Sequence, residues 1–571
     1  MNTMNFLLSK HQLDNPKINL KFYCNIGEYS LFIGFDNISN IQNRSNENII
    51  VFGDCINAEI LNEKDKFSAS YLKQLKGIFT LVIITGDSFQ IYSSLFGFLP
   101  VFYSNDFNVI SNSLDLIKRV GNYSSGINKQ YIIESYLFNY SFSNQTYLKQ
   151  IKRLSNFSYI CYEKGKFEVK KYMDIADWFI ERPLNGINQL SNLASLFLNQ
   201  VQHYYTDEIN SITFTSGFDG RTILSAATLH QIKFDTFSFG RIWNPDVEVP
   251  LNNSRELNIP YHYYDLGLLS YQNEYFDLAT KFSRITGGFN GFLYAHFLYG
   301  AEQEKAYSDN LLTGYCGSEL FRALHIQGAI TSRELVSIFT ETNDKKLKEN
   351  LWNSSKLIFI QKSDYKEEFD NLFGEILQLR ETKKKYFSIN HFFYHYIFTE
   401  VFRKVFGAWT VAQMQEMNVR TPFLDYDFVL ELLKTDLAGC NNYFFTHNPL
   451  KRLKGQLLYA EIIRQSNSQL YKMKTGKGYR PIDLLTLQGK VRILFPYLKK
   501  RHVKQSIKPN LDNLGIISAY QYHKNEIESL YKNLEGFEIS RILESSNNLN
   551  PYTSEEERGI LLQTASLASI L

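Results

Sequence analysis

Thr213–Leu224 reads TFTSGFDGRTIL: the apolar segment SITFT, Ser211 to Thr215, runs through a loop of small residues straight into the helix-period stretch RTILSAATLH, Arg221 to His230. A strand that ends in this way puts small residues, free backbone N–H groups and a helix N-terminus at one point, which is a place for an anion. Ser216, Gly217 and Gly220 let the backbone approach a polyphosphate closely. Asp219 is of the type that holds Mg²⁺, an ion usually bound by one or two carboxylates plus substrate phosphates. An ordinary strand-to-helix turn favours the same residue types, so the loop by itself leaves both readings open.

Around this stretch the pattern alternates. FDTFSFG (Phe234 to Gly240) reads as a second strand, Asp246 is placed to cap a helix through Leu257, and PYHYYDL (Pro260 to Leu266) reads as a third strand. Strand and helix alternating at this spacing predict an α/β domain, a doubly wound parallel sheet with helices on its faces. Beyond Tyr271 the chain reads as mainly helical. Upstream, from Ile18 to Tyr172, short alternating segments such as NIIVFG, FTLVIIT and FSYICYEKGKFEVKKY, broken by Asn, Gly, Asp and Ser, are strand-and-turn sequence. The expected division is 1–180 and 181–571, with 482–571 a helical C-terminal extension.

Composition narrows the classes. At 571 residues the chain should hold more than one core. Formal net charge is +3, from 61 Lys+Arg against 58 Asp+Glu, which gives no electrostatic footprint for nucleic acid. The basic runs Lys383–Lys385 and Lys499–Lys504 read as solvated helix faces. The richness in Tyr, Phe, Asn, Ile and Lys follows AT-rich codons. MNTMNFLLSKHQLDN carries no export pattern, and no apolar run is long enough to span a bilayer. Five scattered cysteines fit reduced thiols in a cytoplasm. His391, His395 and Glu400 lie close together around HFFYHYIF, but that segment reads as an aromatic packing face, not a ligand set.

A second run, LLTGYCGSELFR (Leu311 to Arg322), lies about a hundred residues beyond the first. Together they resemble the asparagine synthetase superfamily. TSGFDG is similar to its SGGxDS pyrophosphate loop, with Thr215 at the first Ser, Ser216 and Gly217 at the glycines, and Gly220 at the last Ser. FSFG stands where the family holds adenine, TGYCGSELF resembles SGxGxDE, and RTPFLD (Arg420 to Asp425) resembles RVPFLD. Lys454 and Lys474 keep the interval between its K-x-x-L-R and R-P-K segments. Upstream, GDCINAEIL, LKGIFTLVII and LFGFLPVFYS resemble GEIYNYREL, LDGMFAFAI and RFGIKPLYY, so the likeness runs to about Leu485.

The resemblance implies an Ntn-hydrolase-like αββα N-terminal domain followed by a PP-loop ATP pyrophosphatase domain. It implies ATP bound by Thr215, Ser216, Gly217, Asp219, Gly220, Arg221, Phe239, Gly240, Thr313 and Gly314, with Mg²⁺ on Asp219 and Glu319. Departures from the family matter. Glutamine-dependent members begin Met-Cys and use that thiol as nucleophile, whereas this sequence begins Met1-Asn2, so a domain without glutaminase activity is expected. Tyr315 stands where asparagine synthetases of this type have an acid and where β-lactam and carbapenam synthetases have a Tyr paired with a Glu; Glu400 is the expected partner. A phenol of pKa near 10 needs such a relay to act as a base. Ser318 falls at the family's second metal carboxylate. Lys474 is expected to stabilise charge on the α-phosphate, with Lys477 of GKGYRP the competing assignment.

The activity so implied is an ATP-dependent amide-forming ligase that adenylates a carboxylate and couples it to an amine of the same substrate, as in β-lactam synthetases and lasso-peptide cyclases. Its partner is a small molecule or peptide bearing both groups, with a precursor peptide or leader-binding protein and a homodimer left open. Two alternatives stand beside it: an ammonia-dependent asparagine synthetase, and a non-catalytic scaffold.

Overall fold

Alternation in the N-terminal segments builds two six-stranded antiparallel sheets in a computed structural model that describes residues 5–10, 20–34, 38–43, 47–62, 67–120, 123, 126–322, 330–442, 453–493, 512, 514–532 and 534–571. The strands are β1 (Phe6–Ser9), β2 (Lys21–Ile26), β3 (Tyr29–Ile33), β4 (Ile38–Asn43), β5 (Asn48–Cys55), β6 (Gly77–Thr85), β7 (Ser88–Ser93), β8 (Phe102–Ser104), β9 (Val109–Ser111), β10 (Ile151–Arg153), β11 (Ser158–Glu163) and β12 (Lys166–Lys171). Their orders are β10-β8-β9-β1-β3-β2 and β12-β11-β7-β6-β5-β4. Successive side chains of a strand point to opposite faces, and β5 shows the result. Ile50 and Phe52 share a core with Phe6, Leu8 and Leu31 of the other sheet, while Ile49 and Val51 pack outside with Leu61 and Leu72. The outer layers are unequal. Among the described residues the Leu114–Val120 helix lies against β9, whereas the other sheet meets the short 3₁₀ turns Ala58–Asn62 and Ala69–Lys73 and the segment Asn418–Arg420.

Five further strands, β13 (Asn210–Thr213), β14 (Phe234–Gly240), β15 (Tyr261–Asp265), β16 (Asn310–Leu312) and β17 (Asn418–Arg420), form an all-parallel sheet in the order β15-β14-β13-β16-β17. The chain steps outward from β13 through β14 to β15, then returns to the other side of β13 as β16. Strand order therefore reverses between β13 and β16, and in open α/β sheets the crevice beyond the carboxyl ends at such a reversal is where ligands bind.

The expected helix through Leu257 is present as Pro245–Leu257, but its N-cap is Asn244, whose side chain accepts from the Asp246 N–H. Beyond Tyr271 the chain is largely helical, and Ile397–Phe406 winds as a π-helix. The C-terminal region is built into the body. Its Glu555–Ala568 helix packs on the Gly291–Glu304 helix, and Thr564 Oγ1 lies 2.7 Å from the Tyr136 hydroxyl. The runs Lys499–Lys504 and LFPYLKKRHVK (Leu494 to Lys504) lie outside the described residues. Among the described residues no helix is long and apolar enough to cross a membrane, and all five cysteines are free.

RTPFLD joins the two halves. Arg420 donates to both carboxylate oxygens of Asp54, at 2.6 and 3.2 Å, and Asp425 pairs with Lys76. Both partners belong to the N-terminal stretches GDCINAEIL and LKGIF. Asp54 and Arg420 are nearly buried, and removing one member of such a pair strands the other charge. Arg420→Met is expected to cost about 3–5 kcal/mol, read as a lower urea midpoint, with much of the loss recovered in Asp54→Leu/Arg420→Met.

Candidate functional site

Both runs leave the carboxyl ends of neighbouring strands. After β13 the loop Phe214–Phe218 enters the Asp219–Leu229 helix, whose N-terminus receives no side-chain cap, so its first N–H groups have no partner within the helix. After β16 come Thr313–Cys316 and the short helix Gly317–Phe321. Gly314 lets the two runs meet, and Gly220 lets the first fold tightly on itself. A Cβ on Gly314 would stand 2.5 Å from Asp219 Cβ, and one on Gly220 would stand 1.9 Å from the Thr213 carbonyl oxygen.

Asp219 is the centre of what they build. Its carboxylate accepts from Ser318 Oγ at 2.9 Å and from the Tyr459 hydroxyl. Glu319 is buried beside it, and burial together with the charge of Asp219 pushes the Glu319 carboxyl up to about 7, with Arg322 opposing. Burial works against the Arg322 guanidinium, but Asp219, Tyr459 and Glu319 outweigh it and hold its pKa above the usual value. Desolvation, then Arg322, lower the Lys477 ammonium to about 8 while Asp219 pulls the other way; that ammonium lies 5.7 Å from the Phe218 ring centre. Two carboxylates and two cations thus surround the end of a helix.

The other expected residues fall into distinct places. Thr215 Oγ1 accepts from the Gly217 N–H at 3.4 Å, and the Ser216 carbonyl accepts from Gly476 N–H at 3.0 Å, which brings the GKGYRP loop over the first run. Ser216 also donates its N–H and hydroxyl to Asp246, at 3.2 and 2.5 Å. A phosphate would have to compete with that carboxylate, so Asp246→Ala is expected to tighten Mg²⁺–ATP binding several-fold, measured by calorimetry. Thr313 is buried and bonded through its N–H to the Arg420 carbonyl. Gly240, with φ 139°, ends β14, and the half-buried Phe239 ring packs on His296 and Phe297 at 4.9 and 5.7 Å.

Two expectations are corrected by these contacts, the ligand role of Arg221 and the Tyr315–Glu400 pair. Arg221 is fully buried rather than directed at a ligand: it donates to the Lys474 carbonyl at 3.2 Å, and burial lowers it to about 10. Lys474 meets Arg221 through its carbonyl; the side chains of Lys474 and Lys477 are both exposed, and Asp219 acts on the Lys477 ammonium. The Tyr315–Glu400 pair does not form. Tyr315 donates to Gln413 Oε1 at 2.8 Å, its ring lies among Phe297, Phe406 and Trp409, and burial drives its pKa upward, away from use as a base.

Glu400 is held elsewhere, by Arg403 and Lys404 three and four positions on in the same helix, which bind it at 2.5 and 2.7 Å. Burial pushes the Glu400 carboxyl up, but these two cations outweigh it and leave it below the usual range. Arg403 and Lys404 in turn donate to the Leu154 and Ser141 carbonyls of the N-terminal half, so this cluster is a second joint between the halves. His391 bonds Asn441 and His395 faces Asp174, as the packing reading of that helix expects. Sequence reading missed Asp246, Arg322 and Tyr459; an acid soon after the second strand was visible, but nothing marked its partner.

No protein-family model matches this chain and no curated protein does, so the resemblance to asparagine synthetases rests on the quoted motifs. Among solved structures the chain is similar to a glutamine phosphoribosylpyrophosphate amidotransferase from B. subtilis complexed with ADP and GMP, at 10% identity over 61% of this chain and 83% of that chain. With a TM-score of 0.19 that likeness carries no argument.

Proposed function

We propose that the protein is an AMP-forming ligase that activates a substrate carboxylate with ATP and transfers the acyl group to an amine. The observation that carries this reading is the meeting of the two runs at the strand-order reversal between β13 and β16, with Asp219, Glu319, Arg322 and Lys477 around an uncapped helix N-terminus. Such an end attracts an anion, and the adjacent cations add to it.

Asp219 and Glu319 are the residues that would hold Mg²⁺. A buried carboxylate, Glu319, pushed up to about 7 by burial and by the charge of the half-buried Asp219, suits a divalent cation. Among the described residues no group of three or more His, Cys, Asp and Glu side chains converges, and Mg²⁺ takes its remaining ligands from phosphates and water. When bound, the ion neutralises phosphate charge.

The substrate carboxylate oxygen attacks the α-phosphorus of ATP, the bond to the bridging oxygen breaks, and pyrophosphate leaves with the electron pair. Lys477 is placed to offset charge as it builds there, where a fixed cation lowers the barrier. An amine nitrogen then attacks the acyl carbon, AMP leaves with its electron pair, and the nitrogen gives up a proton to water. Tyr315, held by Gln413 and three aromatic rings, is not the group that takes that proton.

The test is product analysis: full-length protein, Mg²⁺–ATP and candidate substrates bearing a carboxylate and an amine should yield AMP and pyrophosphate together with a product lighter by one water. ADP and phosphate would refute it. One observation favours a second reading, a scaffold without turnover: the Ser216 N–H is already committed to Asp246.

A further inference from the structure

A cavity of about 990 Å³ lies apart from the site described above: none of Asp219, Glu319, Arg322 and Lys477 borders it. Three helices wall it, Lys129–Phe138 of the N-terminal half, Gly291–Glu304, and Glu555–Ala568 of the C-terminal extension. The ligase reading makes no use of this space.

One wall is aromatic. Phe289, Tyr294, Phe297 and Trp409 line the cavity and follow one another, with ring centres 5.4, 6.1 and 4.9 Å apart. The rest of the lining has an excess of negative charge, five carboxylate side chains against three of Lys and Arg. Of these, Glu334 pairs with Lys356 at 3.0 Å, and Asp512 accepts from the Ile517 N–H at 2.9 Å. The other three acids are Glu555, Glu556 and Glu557, the first turn of the C-terminal helix. Glu556 accepts from Ser355 Oγ at 2.5 Å, while Glu555 and Glu557 have no ion-pair partner among the described residues. An acidic first turn suits any helix N-terminus, but this one stands by the rings. Burial first, and then the charge of Glu555, raise the Tyr294 hydroxyl, which puts that carboxylate near the aromatic wall.

Two acceptors complete the lining. Asn290 is the N-cap of the Gly291–Glu304 helix, a position where an Asn oxygen ordinarily accepts from the first turn, yet its side chain caps nothing. It donates instead to the Gly559 carbonyl at 3.3 Å, and Gln563 donates to the Gly288 carbonyl at 2.9 Å. Both residues are more than nine-tenths buried and line the cavity, and among the described residues neither amide oxygen accepts from any group. A buried acceptor left without a donor is unfavourable.

Aromatic faces attract a cation and pack against its apolar stem, carboxylates neutralise it, and unpartnered carbonyl oxygens accept from its N–H groups. Ligand pockets run from about 300 to about 1,000 Å³, so the room far exceeds a single ammonium ion. We infer that this cavity is a second binding site, for an aliphatic polyamine whose methylenes lie along the rings and whose ammonium groups meet Glu555, Glu557 and the Asn290 and Gln563 oxygens. The inference does not depend on the ligase reading, and it gives the C-terminal extension a purpose, since the extension supplies the acids.

Spermidine is titrated by calorimetry into the full-length protein without nucleotide, with 1,6-hexanediol as the uncharged probe. Gly559 lines the cavity and a Cβ built on it meets no atom within 4 Å, so Gly559→Trp fills the space from a position that accepts a side chain. Glu555→Gln/Glu557→Gln removes two charges from an exposed and a half-buried residue. Glu163→Gln, which does not line the cavity, is the control. Wild type and Glu163→Gln are expected to take up one equivalent of spermidine, the other two variants to bind it at least tenfold more weakly, and hexanediol to leave spermidine binding unchanged. No uptake by wild type, hexanediol competing as an equal, or wild-type affinity in either Glu555→Gln/Glu557→Gln or Gly559→Trp overturns the proposal.

Discussion

Asp219→Asn is expected to lower ATP-dependent pyrophosphate release on the order of 10² to 10³-fold, the scale on which electrostatic groups aimed at developing charge act. The substitution keeps the shape and an oxygen to accept from Ser318 or Tyr459, so the fold should survive. What it removes is the negative charge that Arg322 and Lys477 face and that stands beside Glu319. Steady-state pyrophosphate release, with far-ultraviolet circular dichroism as a check on folding, reads the effect. Activity within a few-fold of wild type would remove Asp219 from the chemistry.

Lys477→Met is expected to lower kcat on a similar scale, on the order of 10²-fold, with the affinity for Mg²⁺–ATP changed far less. Lys474→Met should cost little, because Lys474 reaches the site through a carbonyl that any residue supplies. The pH profile separates the two further. A lysine with a lowered pKa loses its charge early: below about 8 the Lys477 ammonium is present, and as pH rises through about 8 it is lost. The rate should therefore fall on the alkaline side of about pH 8. Lys477→Arg should move that limb upward, since a guanidinium stays charged. A large loss in Lys474→Met with none in Lys477→Met would restore the assignment made on motif spacing.

How much of this was legible varied with the range of the interaction. The strand alternation of β5 and β6, the parallel strands after Asn210 and the two glycine-bearing runs are local patterns, and local patterns can be read along a chain. Gly314 and Gly220 were visible as small residues, but the reasons for them, the close approach of the second run to Asp219 at Gly314 and the tight turn back onto Thr213 at Gly220, needed coordinates. Tyr459 is 240 positions from Asp219, and no spacing rule connects them.

Glu400 was misplaced for a different reason: it was assigned to Tyr315 by resemblance, while Arg403 and Lys404, three and four positions on in its own helix, were the cations within its reach. Cys316 departs in another way. It stands at a glycine of the resembling SGxGxDE segment yet keeps φ 66°, a left-handed conformation that is uncommon for residues with a side chain. Arg420 and Asp425 were noticed as a signature, and their ion pairs to Asp54 and Lys76 are what that signature does here.

Calorimetric titration of Mg²⁺–α,β-methylene-ATP into the full-length protein addresses the nucleotide site most directly, because the analogue cannot be cleaved between its α and β phosphates and needs no second substrate. One equivalent should bind wild type, and Asp219→Ala should weaken that binding by at least tenfold. A wild-type protein that takes up no analogue, or an Asp219→Ala protein that binds it equally well, would mean that the meeting of the two runs is not a nucleotide site.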